Sequence, residues 1–469
     1  MRISVSKSDI AWSYVAQFFN VGSGLITLPV ILHMLSTDEI ALNYLMITIS
    51  TIVGLFDFGF APQFSRNISY VFAGAQEIKK EGIAETTDSI NMRLLAGMIG
   101  VAKMVYARIA LVALVSMLTA GTYYIYIVTE EFSKVENALL IWIIYSFSVY
   151  FNLYFIYYGS LLMGKGLIKE SKKAMLIQRV TGIAITFGLL FAGCGLLSVV
   201  ISNLIAPFAG RIISIRYFYS TEMKAELARN RVRKAEKMEL FRKLWYNSKK
   251  FGLVMIGSYA INKLGMFFAG LYLSLEAVAS YGLMIQLMTI ITTISMTFQT
   301  SFWPQMASLR AEGDKAALMD KFALTMNVFY VLFIIGCACL IFIAPPLLKL
   351  IGSNAVLPGI TVLIAYSIVT LLENNHSSFA SLILTDNKVP FMESSLICGA
   401  LICVGSWMVL FFTDYGILGL VLVQGLVQLA YSNWKWPYVV CKEFKISYSS
   451  FLWLGFNQAK NMIYSYVRK

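Results

Sequence analysis

Apolar residues run along this chain in stretches of about twenty, separated by short polar turns, from one end to the other. The runs fall near residues 10–32, 40–61, 105–128, 138–162, 174–192, 196–215, 251–273, 279–303, 322–344, 359–383, 394–413 and 417–437. A helix needs roughly 20 predominantly apolar residues to cross a hydrocarbon core, and each run reaches or approaches that length. The period-two alternation of a transmembrane barrel is absent, so helices are the way left to satisfy the backbone in lipid. The pattern predicts an all-α integral membrane fold of about twelve spans. The first run, behind two basic residues, has the outline of a secretory signal. Its length, and Gln17 and Asn20 inside it, favour a retained first helix instead.

The polar positions orient the spans. Threading the runs alternately from a cytoplasmic amino terminus places almost all of the 38 Lys and Arg residues inside. Lys134 and Lys349 then fall outside, and Arg179, Arg211 and Lys263 within spans. Both termini are therefore expected in the cytoplasm. Two inside segments are long. One runs from Pro62 to Met104. The other, 216–250, alternates charge at helical spacing and ends in Phe241, Leu244 and Trp245, as a basic connector lying in the headgroup layer would. The expected division is a first lobe over 1–215, the connector at 216–250, a second lobe over 251–437 and a cytoplasmic tail over 438–469.

Composition agrees. Hydrophobic residues make up 58% and charged residues 13%, and a mean hydropathy of +0.71 is more than a soluble core could hide. The net charge of +13 follows from basic inside loops and does not call for a nucleic-acid partner. Six cysteines lie in or beside apolar runs without metal-type spacing, and read as packing residues.

The chain also repeats itself. An offset of 238 superposes Leu35-Ser36 on Leu273-Ser274, Leu45-Met46-Ile47 on Leu283-Met284-Ile285, and Phe60 and Phe64 on Phe298 and Phe302. That is about ten identities in about thirty positions. Gly195, Leu197 and Val200, opening the sixth run, pair likewise with Gly416, Leu418 and Val421, opening the twelfth. Six spans per unit is an even number, so both units enter the membrane alike as parallel repeats. Two similar lobes that can rock about a seam suit a transporter better than a membrane enzyme.

The run Gly54-Leu55-Phe56-Asp57-Phe58-Gly59-Phe60-Ala61-Pro62-Gln63-Phe64-Ser65-Arg66-Asn67, with Gly22, Gly24, Leu28 and Pro29 in the first helix, resembles O-antigen (Wzx-type) flippases. These belong to the polysaccharide transport family of the multidrug/oligosaccharidyl-lipid/polysaccharide (MOP) superfamily. The resemblance implies a MATE-like fold of two six-helix lobes in a bacterial inner membrane. It also implies passage of an undecaprenyl-diphosphate-linked oligosaccharide from the inner to the outer leaflet, without covalent chemistry. Membrane lipids are expected partners, and polysaccharide polymerase and assembly proteins further ones. Neither a cofactor nor a metal is expected, and coupling to an H+ or Na+ gradient is left open.

Such a cargo needs cations for its diphosphate and amides or aromatic rings for its sugars. Lys263, deep in the seventh run beside Asn262, is the first cationic candidate, with pairing to an acid as the alternative. Arg179 and Arg211 lie within about two turns of the inner surface, where snorkelling to headgroups competes with a binding role. Arg66 follows the motif at the cytoplasmic mouth. Gln17, Asn20, Gln286 and Gln299 stand on the first and eighth runs, where a sugar path is expected. Asp57 is read either as half of a gate pair with Arg66 or Lys263 or as a cap of its loop. Glu373 and His376, three apart on the tenth run, form a candidate proton or cation coupling pair, with a structural polar cluster as the alternative. A cation-coupled drug extruder of the same superfamily is the competing function. A membrane polymerase or glycosyltransferase is further off, since the loops offer no paired carboxylates or Gly-rich phosphate cradle.

Overall fold

The computed structural model describes residues 7–79, 87, 89–230, 232–384 and 391–467. Their regular elements are all helical. The first twelve are α1 (Lys7–Met34), α2 (Thr37–Gly54), α3 (Phe60–Phe72), α4 (Met92–Ser116), α5 (Thr122–Val128), α6 (Ala138–Gly164), α7 (Ile168–Phe191), α8 (Leu197–Phe218), α9 (Thr221–Arg229), α10 (Lys234–Tyr272), α11 (Leu275–Glu312) and α12 (Lys315–Ala338). They are followed by α13 (Ala344–Leu350), α14 (Ile360–Leu384), α15 (Met392–Phe412), α16 (Gly416–Ala430), α17 (Ser432–Glu443) and α18 (Tyr448–Val467). All twelve apolar runs fall largely on helices, the second being broken by a turn at Phe58 and Gly59. Nine spans among the described residues are long and apolar enough to cross a membrane. The other three runs lie on α1, α10 and α14. The chain divides into two compact units, Met1–Ile256 and Gly257–Lys469, and the division falls inside α10.

In the first unit the third span is not a regular α-helix throughout. A π-turn over Met117–Gly121 joins α4 to α5, and a π-turn frees backbone carbonyls from their usual donors. The buried indole of Trp142 donates to the Met117 carbonyl at 3.2 Å and to Thr122 Oγ1 at 3.0 Å. Gly121 makes room for that ring, since a Cβ there would stand 2.6 Å from it. Near the opposite end of this span, Phe60, Phe64, Tyr106, Tyr157, Phe218 and Leu244 form a buried aromatic core. The end of the basic segment is thus part of the unit's packing, with Leu244 in that core and Leu240 against Gly97.

The second unit repeats three local devices of the first. Ser36 caps α2 by accepting from Glu39 N, and Ser274 caps α11 by accepting from Ala277 N. Gly195 and Gly416, which open the sixth span of each unit, take φ of 53° and 52°, a conformation that favours glycine. The third spans share the π-turn, which in the second unit covers Cys339–Ile343 just before Pro345 and Pro346. Neither proline can donate to the carbonyl four residues earlier, so the regular ladder could not continue there. The chain beyond 437 is helical too. Phe451 of α18 is fully buried, 5.5 Å from Phe322 and 5.2 Å from Phe379, and Asn327 Nδ2 donates to the Leu452 carbonyl at 3.2 Å.

Candidate functional site

Four helices of the first unit, α1, α6, α7 and α8, leave a cavity of about 700 Å³ between them. Its walls are polar within an apolar bundle: Thr27 from α1, Asn152 from α6, Gln178, Arg179 and Thr186 from α7, and Asn203 from α8. Asn152 and Gln178 also border an adjoining space of about 260 Å³, which reaches Tyr158 and Arg211.

Small residues hold the walls in place. Ser202 Oγ donates to the Gly182 carbonyl at 2.7 Å, and Gly210 lies so close to Gln178 that a Cβ there would meet its Oε1 at 2.8 Å. Such contacts let α7 and α8 approach closely, as helices packed in lipid do. Pro207 interrupts α8 and cannot donate to the carbonyl of Asn203, four residues earlier. Asn152 Nδ2 supplies the missing donor at 3.3 Å, and donates also to the Ser148 carbonyl at 2.9 Å. One amide thereby repairs a helix break and stands in the cavity wall.

The charge of the cavity is one-sided. Arg179 is exposed and Arg211 half-buried, and no Asp or Glu lines either space. The Arg211 guanidinium rests 4.7 Å over the Phe155 ring and 5.9 Å from that of Tyr158. Among the described residues neither arginine forms an ion pair or hydrogen bond. Arginine keeps its charge in proteins, so two unpaired guanidiniums in a membrane cavity are best neutralised by an anion brought from outside. Their fork geometry matches phosphate oxygens, and the neighbouring amides and hydroxyls match sugar hydroxyls.

The second unit holds a different cluster. Glu373 accepts from Gln424 Nε2 at 2.8 Å, with Asn262, Lys263 and Gln428 nearby, and among the described residues neither side-chain amide atom of Gln428 makes a hydrogen bond. Lys263 is half-buried and, among the described residues, makes no ion pair within salt-bridge distance. Asn262 Nδ2 donates back to the Ser258 carbonyl of its own helix at 3.0 Å. His376 stands three residues from Glu373 but takes other partners. Its Nδ1 lies 2.7 Å from Asn433 Oδ1 and 3.1 Å from the Leu372 carbonyl. Glu373 is therefore hydrogen-bonded to α16, and His376 to α17.

The remaining sequence candidates are scattered. Asp57 is buried, accepting from Tyr106 Oη at 2.6 Å and from Ala61 N at 3.4 Å, so its carboxylate serves the loop and the start of α3. Arg66 is exposed and donates to Gln63 Oε1 at 2.6 Å. Gln299 is buried, bound to Met326 Sδ at 3.2 Å and accepting from Ser378 Oγ at 3.1 Å. Gln286 is half-buried, and the side chains of Gln17 and Asn20 lie outside the described residues. Sequence reasoning passed over Asn152, Gln178, Asn203, Gln424 and Gln428. Pro207 within an apolar run was the one available signal, since a helix broken in lipid needs a polar neighbour to complete it.

This architecture defines a multi-pass, all-α membrane protein of MATE-like fold. It aligns over 92% of its length, and 95% of the other chain, with the inward-facing conformation of a multidrug resistance MATE family transporter of the MOP superfamily, at TM-score 0.62 and 12% identity. Lipid II flippase MurJ, in an inward closed conformation, aligns over 98% of this chain and 93% of its own at TM-score 0.61 and 15% identity. The MATE multidrug transporter DinF-BH gives a TM-score of 0.58 at 14% identity, over 95% of this chain and 98% of its own. At these identities the likeness is one of fold. No curated protein sequence matches the chain. The model of the polysaccharide biosynthesis protein family matches residues 6–310, more than half of the sequence, and the chain belongs to that family.

Proposed function

We propose that this protein is a flippase that carries an undecaprenyl-diphosphate-linked oligosaccharide, such as an O-antigen or related surface-polysaccharide repeat unit, from the inner to the outer leaflet of a bacterial cytoplasmic membrane. The observation that carries the reading is the polar cavity of the first unit, with Arg179 and Arg211 unpaired and no acid in its lining. A diphosphate supplies the missing negative charge, and Thr27, Asn152, Gln178 and Asn203 offer hydrogen bonds to a sugar. A polar lining replaces the hydration that such a head group would lose in lipid, where an exposed charge costs at least about 2.5 kcal/mol. Membership of the polysaccharide biosynthesis family and the parallel repeat both support this cargo and alternating access as the mode of transport.

Glu373 favours a coupling role within the same function. Amides from two helices surround it and leave it as an acid that a proton or a small cation can satisfy. A drug extruder would need its acid in the pocket that holds an organic cation, whereas the first unit's cavity has basic walls. The test is complementation of a bacterial strain that lacks its own O-antigen flippase. Restored surface polysaccharide, with loss of the accumulated unflipped lipid intermediate, is the expected result. Continued accumulation despite normal insertion overturns the reading.

A further inference from the structure

The turn between α2 and α3 places two aromatic rings on one side. Phe58 and Gly59 both take left-handed conformations, with φ of 45° and 72°, and for a bulky side chain positive φ is a genuine outlier. The result is a cluster. Phe58 lies edge-on to Trp245 at 5.7 Å, and Phe60 stacks on Trp245 at 5.8 Å and on Phe241 at 6.0 Å. Gly252 of α10 presses against this turn so closely that a Cβ there would stand 2.3 Å from the Phe58 ring.

Together with Val105, Ile109 and Val112 of α4, these rings enclose a pocket of about 290 Å³. Every lining residue is apolar except Arg108. Trp245 is 37% exposed and Val112 54%, so the pocket opens outward. Arg108 is exposed too, and among the described residues it makes no ion pair or hydrogen bond. Its depth follows from α4. The start of that helix is the charged end, where Arg93 pairs with Glu236 at 2.9 Å and Gly100 packs on Lys237. Arg108 is two turns beyond Gly100, about 12 Å at 1.5 Å per residue, at the start of the apolar run 105–128, where hydrocarbon is expected to begin.

We propose that this pocket holds the first isoprene units of a polyprenyl diphosphate, with Arg108 on its phosphates. The inference rests on the flippase reading and names a first station, separate from the cavity of Arg179 and Arg211, where the lipid end of that cargo is recognised before its diphosphate passes to them. A straight acyl chain gains little by leaving the bilayer, because lipid tails are as apolar as the pocket. A polyprenyl chain differs in its branch methyls and double bonds, which lie against ring faces. Its charge also begins at the first carbon of the chain, whereas glycerol and two ester groups separate a phospholipid's phosphate from its tails. The pocket matches the former: a cation borders the apolar wall directly, and no further charged or amide side chain lines it to meet an ester. Its volume is near the lower end of small-ligand sites and suits a short length of chain.

The test uses the full chain in vesicles of phosphatidylethanolamine and phosphatidylglycerol, with two photoactivatable probes. One is a C55 polyprenyl diphosphate carrying a diazirine near its phosphate end, and the other a phosphatidylglycerol carrying one in an acyl chain. The polyprenyl probe is expected to mark peptides containing residues 105–112 and 241–245. Unlabelled polyprenyl diphosphate should suppress this marking, and phosphatidylglycerol should not. Trp245→Ala should reduce it roughly tenfold, the equivalent of one aromatic contact. Trp245→Leu, which keeps an apolar side chain without the ring, serves if the alanine variant fails to fold. Arg108→Gln should also lower marking, and Arg108→Lys should keep most of it. Equal marking by phosphatidylglycerol, or polyprenyl marking elsewhere that ignores these substitutions, overturns the pocket. The two failures are distinct: complementation without this cross-link removes the pocket and leaves the flippase, and the cross-link without transport does the reverse.

Discussion

Arg211→Ala tests the anionic cargo most sharply, because the structure separates what the side chain does for binding from what it does for folding. Its guanidinium makes no ion pair or hydrogen bond among the described residues and lies over the rings of Phe155 and Tyr158. Loss of that stacking costs the fold about 0.5–1 kcal/mol, the range for a cation over an aromatic face. In a unit of this size that is a fall in Tm of about 1–4 °C. Binding should suffer far more. A unit charge about 4 Å from a phosphate oxygen is worth roughly 4 kcal/mol at an effective dielectric of 20, and desolvation leaves about 1.5–3 kcal/mol of it. The affinity for a polyprenyl-diphosphate oligosaccharide should therefore drop by about tenfold to a hundredfold or more. Equilibrium binding to the purified protein in nanodiscs reads this directly, and Arg211→Lys should recover part of the loss. An alanine variant with unchanged Kd and a normal melting curve would refute the assignment of this cavity to an anion.

Other outcomes follow from the same geometry. Gly252→Val should lower Tm by forcing Phe58 off α10, at a cost of about 1–3 kcal/mol for overpacking; an unchanged melting curve would mean the contact carries no weight. Asp57→Ala should destabilise the protein by about 1–3 kcal/mol, because it strands the buried Tyr106 hydroxyl, and Tyr106→Phe in the same background should recover most of that. A gate role would instead abolish transport with Tm preserved. Glu373→Gln should blunt the dependence of transport on an ion gradient while leaving binding intact, so an unaltered gradient response removes coupling from this site. Single cysteines at positions 37 and 233 should react with an impermeant reagent from the periplasmic and cytoplasmic sides respectively, and the opposite pattern would reverse the topology.

The helices were legible because each span needs a long apolar run, and nothing else in a polypeptide produces one at this length. The repeat was legible through residues with a local duty. Ser36 and Ser274 both cap helices, and Gly195 and Gly416 both take a left-handed φ, beside apolar identities such as Leu45-Met46-Ile47 with Leu283-Met284-Ile285. The π-turns were not legible. Met117–Gly121 lies in a largely apolar run and its Met117 carbonyl is met by Trp142, distant in sequence, while Cys339–Ile343 is marked only by the two prolines that follow it. The polar cavity was half visible. Arg179 and Arg211 stand out in any apolar run, but Asn152 acquires its meaning only from a proline fifty-five residues later, whose orphaned carbonyl it completes. The sequence after 437 shows no further apolar run, and only the structure gives it packing, with Phe451 of α18 buried on the second unit.

Transfer itself is the decisive measurement. The purified chain is reconstituted into vesicles that carry an undecaprenyl-diphosphate oligosaccharide in one leaflet, and an impermeant glycosidase on the other side reports the sugar as it crosses. Sugar should become accessible in vesicles containing the native protein, and the Arg179→Ala, Arg211→Ala double variant, inserted and folded, should slow this by about a hundredfold or more. Sugar that stays protected with the native protein, or that crosses equally fast with the double variant, would contradict transport through this cavity.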